Sequence, residues 1–179
     1  FEEASWLNFE TTVEDTVAND EGAWIIAEKS PFYAEMGGQV GDTGAFQSDT
    51  LTGRITDTTK DPGGRFLHRV ESAATLPKPG ESLTLSIDIN RRLEIQRHHT
   101  GTHILHWALR EVLGSHVHQA GSYVGPDRLR FDFAHFEAIS PEQLERIEDL
   151  CNERILENAP VQWYEIPFEE KPDEIIAFF

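Results

Sequence analysis

Residues 82–113 read SLTLSIDI (82–89) followed by NRRLEIQRHHTGTHILHWALREVL (90–113), and they contain the change of period that decides the fold. In the first part, apolar and polar residues alternate, which is typical of a strand with one buried face. The second part has helical spacing and ends at a glycine, which predicts one amphipathic helix from Arg91 to Leu113. The chain is therefore expected to change at about residue 90 from strands to mixed helix and strand.

The region before this change is expected to be a small β-barrel domain, residues 1–90. β-prone runs at 24–27 and 54–58 are separated by turn sequences at 19–22, 61–64 and 77–80, which contain glycine, proline or both. Several short strands divided by such turns are typical of a barrel.

The region after the change, residues 91–179, is expected to be an α+β domain. Residues 129–135 alternate as a strand, and Ser140-Pro141-Glu142-Gln143 is a helix start that predicts a helix to about Asn158. Residues 161–166 predict a further strand, and a last helix is expected to begin near Phe168. The side chains expected to point inward from the helix after Ser140 are Leu144, Ile147, Leu150, Cys151, Ile155 and Leu156.

The charge of the chain is unevenly distributed. The 179 residues carry a formal net charge of −17, yet residues 91–135 hold six basic and four acidic residues together with seven of the eight histidines. This middle part is therefore the place where a polyanion is expected to bind, although a basic stretch is also typical of a solvated helix face.

No run is apolar enough to cross a membrane, and one cysteine allows no internal disulfide, which favours a cytoplasmic location. Because Met36 is the only methionine, the chain is expected to be a piece of a longer protein.

Two short motifs carry the candidate chemistry. The loop PFYAEMGGQVGDTG (31–44) has four glycines, which permit close approach of a ligand or tight turns within a barrel. In the helix, His99 and His103 are four residues apart, so both imidazoles share one face and can reach one metal ion. No glutamate follows His99, so this is not the metalloprotease pattern, and two such histidines can also be ordinary surface or capping residues. Thr100, Thr102 and a polar turn at 116–122 are the neighbours that favour a site.

Four motifs of this sequence resemble motifs of the alanyl-tRNA synthetase family and occur in the same order along the chain. They are the loop 31–44, HTGTH (99–103), GSHVHQAGS (114–122) and LRFDF (129–133). The resemblance covers the editing region and implies a β-barrel followed by the editing fold shared with threonyl-tRNA synthetase and alanyl-tRNA trans-editing proteins. It implies hydrolysis of serine or glycine wrongly attached to alanine tRNA, because a pocket for alanine cannot strongly reject either amino acid. The partner implied is the acceptor end of that tRNA, while ATP and Mg²⁺ belong to an aminoacylation domain that nothing here resembles.

The resemblance also implies residue roles. Zinc would be held by His99 and His103 with a cysteine and a histidine from a later Cys-x-x-x-His, which this sequence does not reach, so the chain alone is expected to bind zinc poorly. Gln119 would contact the substrate amino acid, Thr100 and Thr102 a serine hydroxyl, and the Gly37–Gly44 loop, including Gly38 and Gly41, would shape the pocket. The basic residues expected to contact acceptor-stem phosphates are Arg91, Arg92 and Arg97. Two alternatives remain: a non-catalytic tRNA-binding module, and a free-standing trans-editing hydrolase.

Overall fold

The computed structural model describes residues 7–71, 75–161, 167 and 169. The chain divides into two compact units, Phe1–Ile95 and Gln96–Phe179. The division lies inside a helix that begins at Ile89, rather than between residues 90 and 91.

The first unit contains a closed barrel of six antiparallel strands, as its turn spacing predicted. Around the barrel the strands follow the order β1-β2-β5-β4-β3-β6. Their bounds are Phe9–Asn19 (β1), Gly22–Ala27 (β2), Gly44–Ser48 (β3), Thr52–Lys60 (β4), Phe66–Val70 (β5) and Ser82–Ile87 (β6).

The barrel core comes from the inward positions of these strands. Leu83, Leu85 and Ile87 alternate inward along β6 and are almost fully buried, together with Ile25 and Ile55. The sequence pattern did not indicate β3 or β5. Both are only five residues long, and they place a glycine and a histidine where an apolar residue would mark a strand.

Among its described residues, the second unit contains a two-stranded sheet and two helices, so the α+β class is confirmed. Its elements are α1 (Ile89–Leu113, which crosses the division between the units), β7 (Gln119–Val124), β8 (Leu129–Phe133) and α2 (Pro141–Leu156). The buried core of this unit holds Ala108, Leu109, Val117 and Ile147, with the half-buried Phe131 and Phe133 packed against it. The polar turn expected at 116–122 was wrong for its second half, because residues from Gln119 onward pair with β8 in a strand.

Helix α2 begins as its sequence predicted. The Ser140 hydroxyl accepts from the Gln143 backbone N–H at 3.2 Å, and the Gln143 side chain accepts from the Ser140 N–H at 2.9 Å. The prediction of which α2 side chains point inward was wrong in part, since Leu144, Ile155 and Leu156 are 53%, 57% and 83% exposed. Only Ile147 of α2 is fully buried.

The strand and helix expected after residue 161 lie outside the described residues, apart from single positions. Among the described residues, no helix combines the length and the apolar character that crossing a membrane requires.

Candidate functional site

The two histidines of the His-x-x-x-His motif lie side by side on α1. The ring centroids of His99 and His103 are 5.1 Å apart with an angle of 27° between the ring planes, and both residues are exposed. The helical spacing therefore produces the paired imidazoles that the sequence predicted.

The pKa of each imidazole lies below its usual value, which favours the neutral ring. Partial burial of the ring lowers the pKa of His99, because protein atoms replace part of the water that would solvate the charged form. The pKa of His103 is lowered by the same desolvation and then by the charges of His99 and His106. Neutral rings keep a lone pair for a metal, a proton or a water molecule.

The donor set around this pair fits half of a zinc site. Two imidazoles on one helix face suit two positions of a tetrahedral zinc ion, which normally takes four ligands. Within the described part of the chain, no group of three histidine, cysteine, aspartate or glutamate side chains is arranged to hold a metal ion. The described residues therefore bring the two predicted histidine ligands together without a third such side chain beside them, and the metal role of the pair stays a prediction.

We expect the isolated chain to bind zinc with a Kd of about 10 µM or weaker, because two ligands provide only part of the roughly 10–16 kcal/mol of a complete structural site. Competition against a chromophoric chelator measures this affinity. The His99→Ala/His103→Ala variant serves as control and should lose even the weak binding. Equilibrium dialysis that finds one tightly held zinc ion per chain would contradict the expectation.

The two threonines between the histidines differ in their surroundings. Thr102 is 5% exposed, and its hydroxyl donates to the His98 carbonyl oxygen at 2.8 Å. The hydroxyl proton of Thr102 is thus already donated within the helix, to the carbonyl oxygen four residues earlier, which is a common bond for serine and threonine in helices. Thr100 is half-buried. The contact predicted between these hydroxyls and a substrate hydroxyl stays a prediction.

Gln119 carries a buried acceptor with unused capacity. It opens β7 opposite Phe133, just before a register shift at Gly121, and its Nε2 donates to the Ser122 hydroxyl at 3.1 Å. Its Oε1 is buried and has no hydrogen-bond partner among the described residues. Buried polar atoms are nearly always paired, so this oxygen can accept a hydrogen bond from a ligand.

The glycine-rich loop divides into an exposed tip and a buried base. Met36 and Gln39 exchange backbone hydrogen bonds of 3.2 and 3.1 Å, and Gly37 and Gly38 between them have φ of 62° and 85°, which favours glycine. Gly41 is buried, and a Cβ there would lie 2.2 Å from the Thr58 carbonyl oxygen. Gly41 thus serves packing within the barrel, whereas the tip is exposed to solvent.

Arg91 and Arg92 have partners at the base of this loop. The Arg91 Nη1 donates to the Gly41 carbonyl oxygen at 2.8 Å. The Arg92 guanidinium forms an ion pair with Asp42, which is 1% exposed, and also donates to the Pro31 carbonyl oxygen at 3.2 Å. Both arginines therefore have a structural role that the sequence did not indicate. Their predicted phosphate contact stays a prediction, as does that of the exposed Arg97.

Other histidines of the second unit bind protein groups. The Nε2 of His116 and the Nδ1 of His135 are 2.9 Å apart, and the His98 Nδ1 donates to the Gly125 carbonyl oxygen at 2.7 Å. His106 is 3% exposed and lies against Phe131. Only the high local density of histidine could have suggested these contacts, because partners 19 or more residues apart leave no periodic signal.

Comparison with known proteins gives a consistent result. A family model described as tRNA synthetases class II (A) matches residues 4–91. An alanine–tRNA ligase from Opitutus terrae is 44% identical over 178 residues, covering 97% of this chain and 19% of that protein. The alanine–tRNA ligases of Geobacillus kaustophilus and Listeria innocua are 48% and 43% identical over 158 and 168 residues, covering 88% and 94% of this chain.

The chain spans only 18 to 19% of the length of these relatives. The matches extend over the barrel and over most or all of the second unit, including the helix with the paired histidines. The chain thus belongs to the alanine–tRNA ligase family, of which it represents one segment.

Proposed function

We propose that this chain is the editing segment of an alanine–tRNA ligase, the part of the parent enzyme that hydrolyses the ester between serine or glycine and alanine tRNA. The isolated chain is expected to be inactive or weakly active, because it lacks two of the proposed zinc ligands. The parent enzyme would attach alanine to that tRNA with ATP and Mg²⁺, act in the cytoplasm, and hold zinc with His99 and His103 plus ligands outside the described residues. The observation that carries the proposal is the exposed pair of imidazoles that lie side by side on α1. Membership of the ligase family supports the proposed tRNA partner.

The chemistry required is simple for such a site. Water attacks the carbonyl carbon of the ester, the bond from that carbon to the ribose oxygen breaks, and the ribose oxygen takes a proton from the attacking water as the amino acid leaves. His99 and His103 would hold the zinc ion, whose Lewis acidity would polarise a water molecule or the ester carbonyl when the ion is bound. The Gln119 Oε1 can accept from the ammonium group or hydroxyl of the amino acid, since it lacks a partner among the described residues.

The experiment uses the parent enzyme carrying His99→Ala and His103→Ala. Hydrolysis of seryl-tRNA should fall by about 100-fold or more, because loss of even the outer partners of a metal site costs roughly 10–100-fold and this variant removes two proposed ligands. Attachment of alanine to tRNA should be unchanged. Glu111→Ala is the matched control, because Glu111 is an exposed residue of the same helix and should leave hydrolysis unaltered.

The result also separates the proposal from a tRNA-binding module. In a module without catalysis, the histidines serve packing alone. Hydrolysis of seryl-tRNA by the double variant at the rate of the unaltered enzyme would therefore refute the editing role and support the module.

A further inference from the structure

We propose that one face of the β7–β8 hairpin binds RNA backbone phosphates through Arg128 and Arg130, with Tyr123 holding Arg128 in place. We name this set of three residues the arginine face. The proposal rests on the proposed function, since tRNA is the RNA concerned. It assigns to the hairpin a second contact with this tRNA, separate from the histidine pair.

The register of the hairpin places these side chains together. Phe131 and Phe133 of β8 pack against the core of the second unit, so Arg130, the residue before Phe131, points to the opposite face. Tyr123 is the direct cross-strand neighbour of Arg130 and therefore shares its face. The side chains of Arg128 and Arg130 are 69% and 65% exposed, so both guanidinium groups are accessible.

The tip of the hairpin is held in a defined position. The Arg128 guanidinium lies 5.3 Å from the centre of the Tyr123 ring, a cation–π distance. A Cβ at Gly125 would be 2.5 Å from the Tyr123 hydroxyl oxygen, so the ring lies directly on this glycine. His98 of α1 donates to the Gly125 carbonyl oxygen at 2.7 Å, and the residue before it is the exposed Arg97. The guanidinium of Arg97 is thus a third one near the hairpin, on the turn of α1 whose His98 bonds to the hairpin tip.

Each arginine of this face has an acidic neighbour that a phosphate can replace. Arg128 lies 3.2 Å from Asp127, and Arg130 lies 3.0 Å from Asp132. Ion pairs this exposed contribute little to stability, whereas a phosphate offers bidentate geometry and releases counterions from the RNA.

Helix α2 carries the opposite charge and provides the contrast. Its exposed acidic residues outnumber its two arginines: Glu142, Glu145, Glu148, Asp149 and Glu153. In a chain of net charge −17, RNA is expected to avoid such a surface and to bind where exposed guanidinium groups meet.

The test measures binding of the 179-residue chain to an RNA hairpin that copies the acceptor stem and 3′ end of alanine tRNA, at several salt concentrations. Arg128→Ala/Arg130→Ala should weaken binding about tenfold at low salt and reduce the slope of log K against log salt by about 1.5–2, since two phosphate contacts are lost. Arg146→Ala should change neither value, because Arg146 is also an exposed arginine, 54% open to solvent, but lies on the acidic helix α2. Asp127→Asn/Asp132→Asn should tighten binding several-fold, because competition for the two arginines is removed.

Two results would overturn the proposal: no binding of the RNA by the unaltered chain, or an affinity and salt slope unaltered by loss of both arginines. Neither result would touch the proposed function, which is tested by the histidine variants. In the parent enzyme, loss of the arginine face should raise the KM for seryl-tRNA and leave kcat in place, whereas loss of the histidines should lower kcat.

Discussion

Replacing Asp42 with alanine should lower the free energy of unfolding of the chain by about 3–5 kcal/mol, the cost of leaving one member of a buried ion pair without its partner. Asp42 is 1% exposed, and its carboxylate accepts from the Arg92 Nε at 3.0 Å and from the Tyr33 backbone N–H at 2.6 Å. In Asp42→Ala, the Arg92 guanidinium keeps the Pro31 carbonyl oxygen as an acceptor at 3.2 Å. A neutral carbonyl oxygen does not compensate a positive charge whose side chain is only 12% exposed.

Urea unfolding of the chain measures this loss, with Glu14→Ala as the matched control. Glu14 lies 3.8 Å from Arg65 in an exposed pair of the same barrel, and its removal should cost about 1 kcal/mol or less. Asp42→Asn should fall between the two, because the amide oxygen can still accept from Tyr33 but carries no charge. Equal stability of the Asp42→Ala and Glu14→Ala variants would show that the buried pair does not stabilise the barrel.

The second large effect is expected on acidification. His68 of β5 is fully buried, with Nδ1 donating to the Ile25 carbonyl oxygen at 3.0 Å and Nε2 accepting from the Ser30 hydroxyl at 2.7 Å. Burial lowers the pKa of His68 from 6.5 to about 4, and the bond to Ile25 opposes this shift in part. The native barrel therefore keeps a neutral ring where the unfolded chain binds a proton.

The sign of the effect follows from this difference. The stability due to neutral His68 is complete above pH 6.5 and is lost as the pH falls toward 4, at up to about 1.4 kcal/mol per pH unit and about 3 kcal/mol in total. The lowered pKa values of His99, His103 and His106 add to the same slope. The contribution of His68 is thus the difference in slope between the unaltered chain and His68→Gln.

Urea unfolding at pH 7, 6 and 5 measures these slopes in a range where most carboxylates remain ionised. An NMR titration of the unaltered chain reports the His68 ring directly and does not depend on the variant folding. A ring that titrates near 6.5, or slopes that coincide between the two chains, would contradict the prediction.

Local signals in the sequence predicted local structure well. The change of period at residue 90 placed β6 before α1, and the Ser140–Gln143 sequence predicted the start of α2 with both of its capping bonds. The spacing of His99 and His103 likewise put their rings on one face, because a helix fixes the relation between positions i and i+4.

Contacts between distant residues could not be predicted in the same way. Asp42 and Arg92 are 50 residues apart, and nothing in either segment indicates that barrel closure joins them. The inward set of α2 was wrong for Leu144 and Ile155 because helical spacing shows that a face is apolar, not that another element covers it. Gln119 was placed in a turn because its glycine- and serine-containing surroundings hide a strand that only pairing with β8 stabilises.

The exposed tip of the glycine-rich loop makes one chemical label available. Met36 is the single methionine of the chain, and it is 63% exposed to solvent. Its backbone makes both of the hydrogen bonds with Gln39 that close the tip. Mild peroxide treatment should therefore convert one thioether to its sulfoxide, and the added oxygen atom would be found by mass spectrometry in a single peptide. Any molecule that covers the tip would slow this oxidation, so the reaction rate gives a footprint of occupancy without a mutation.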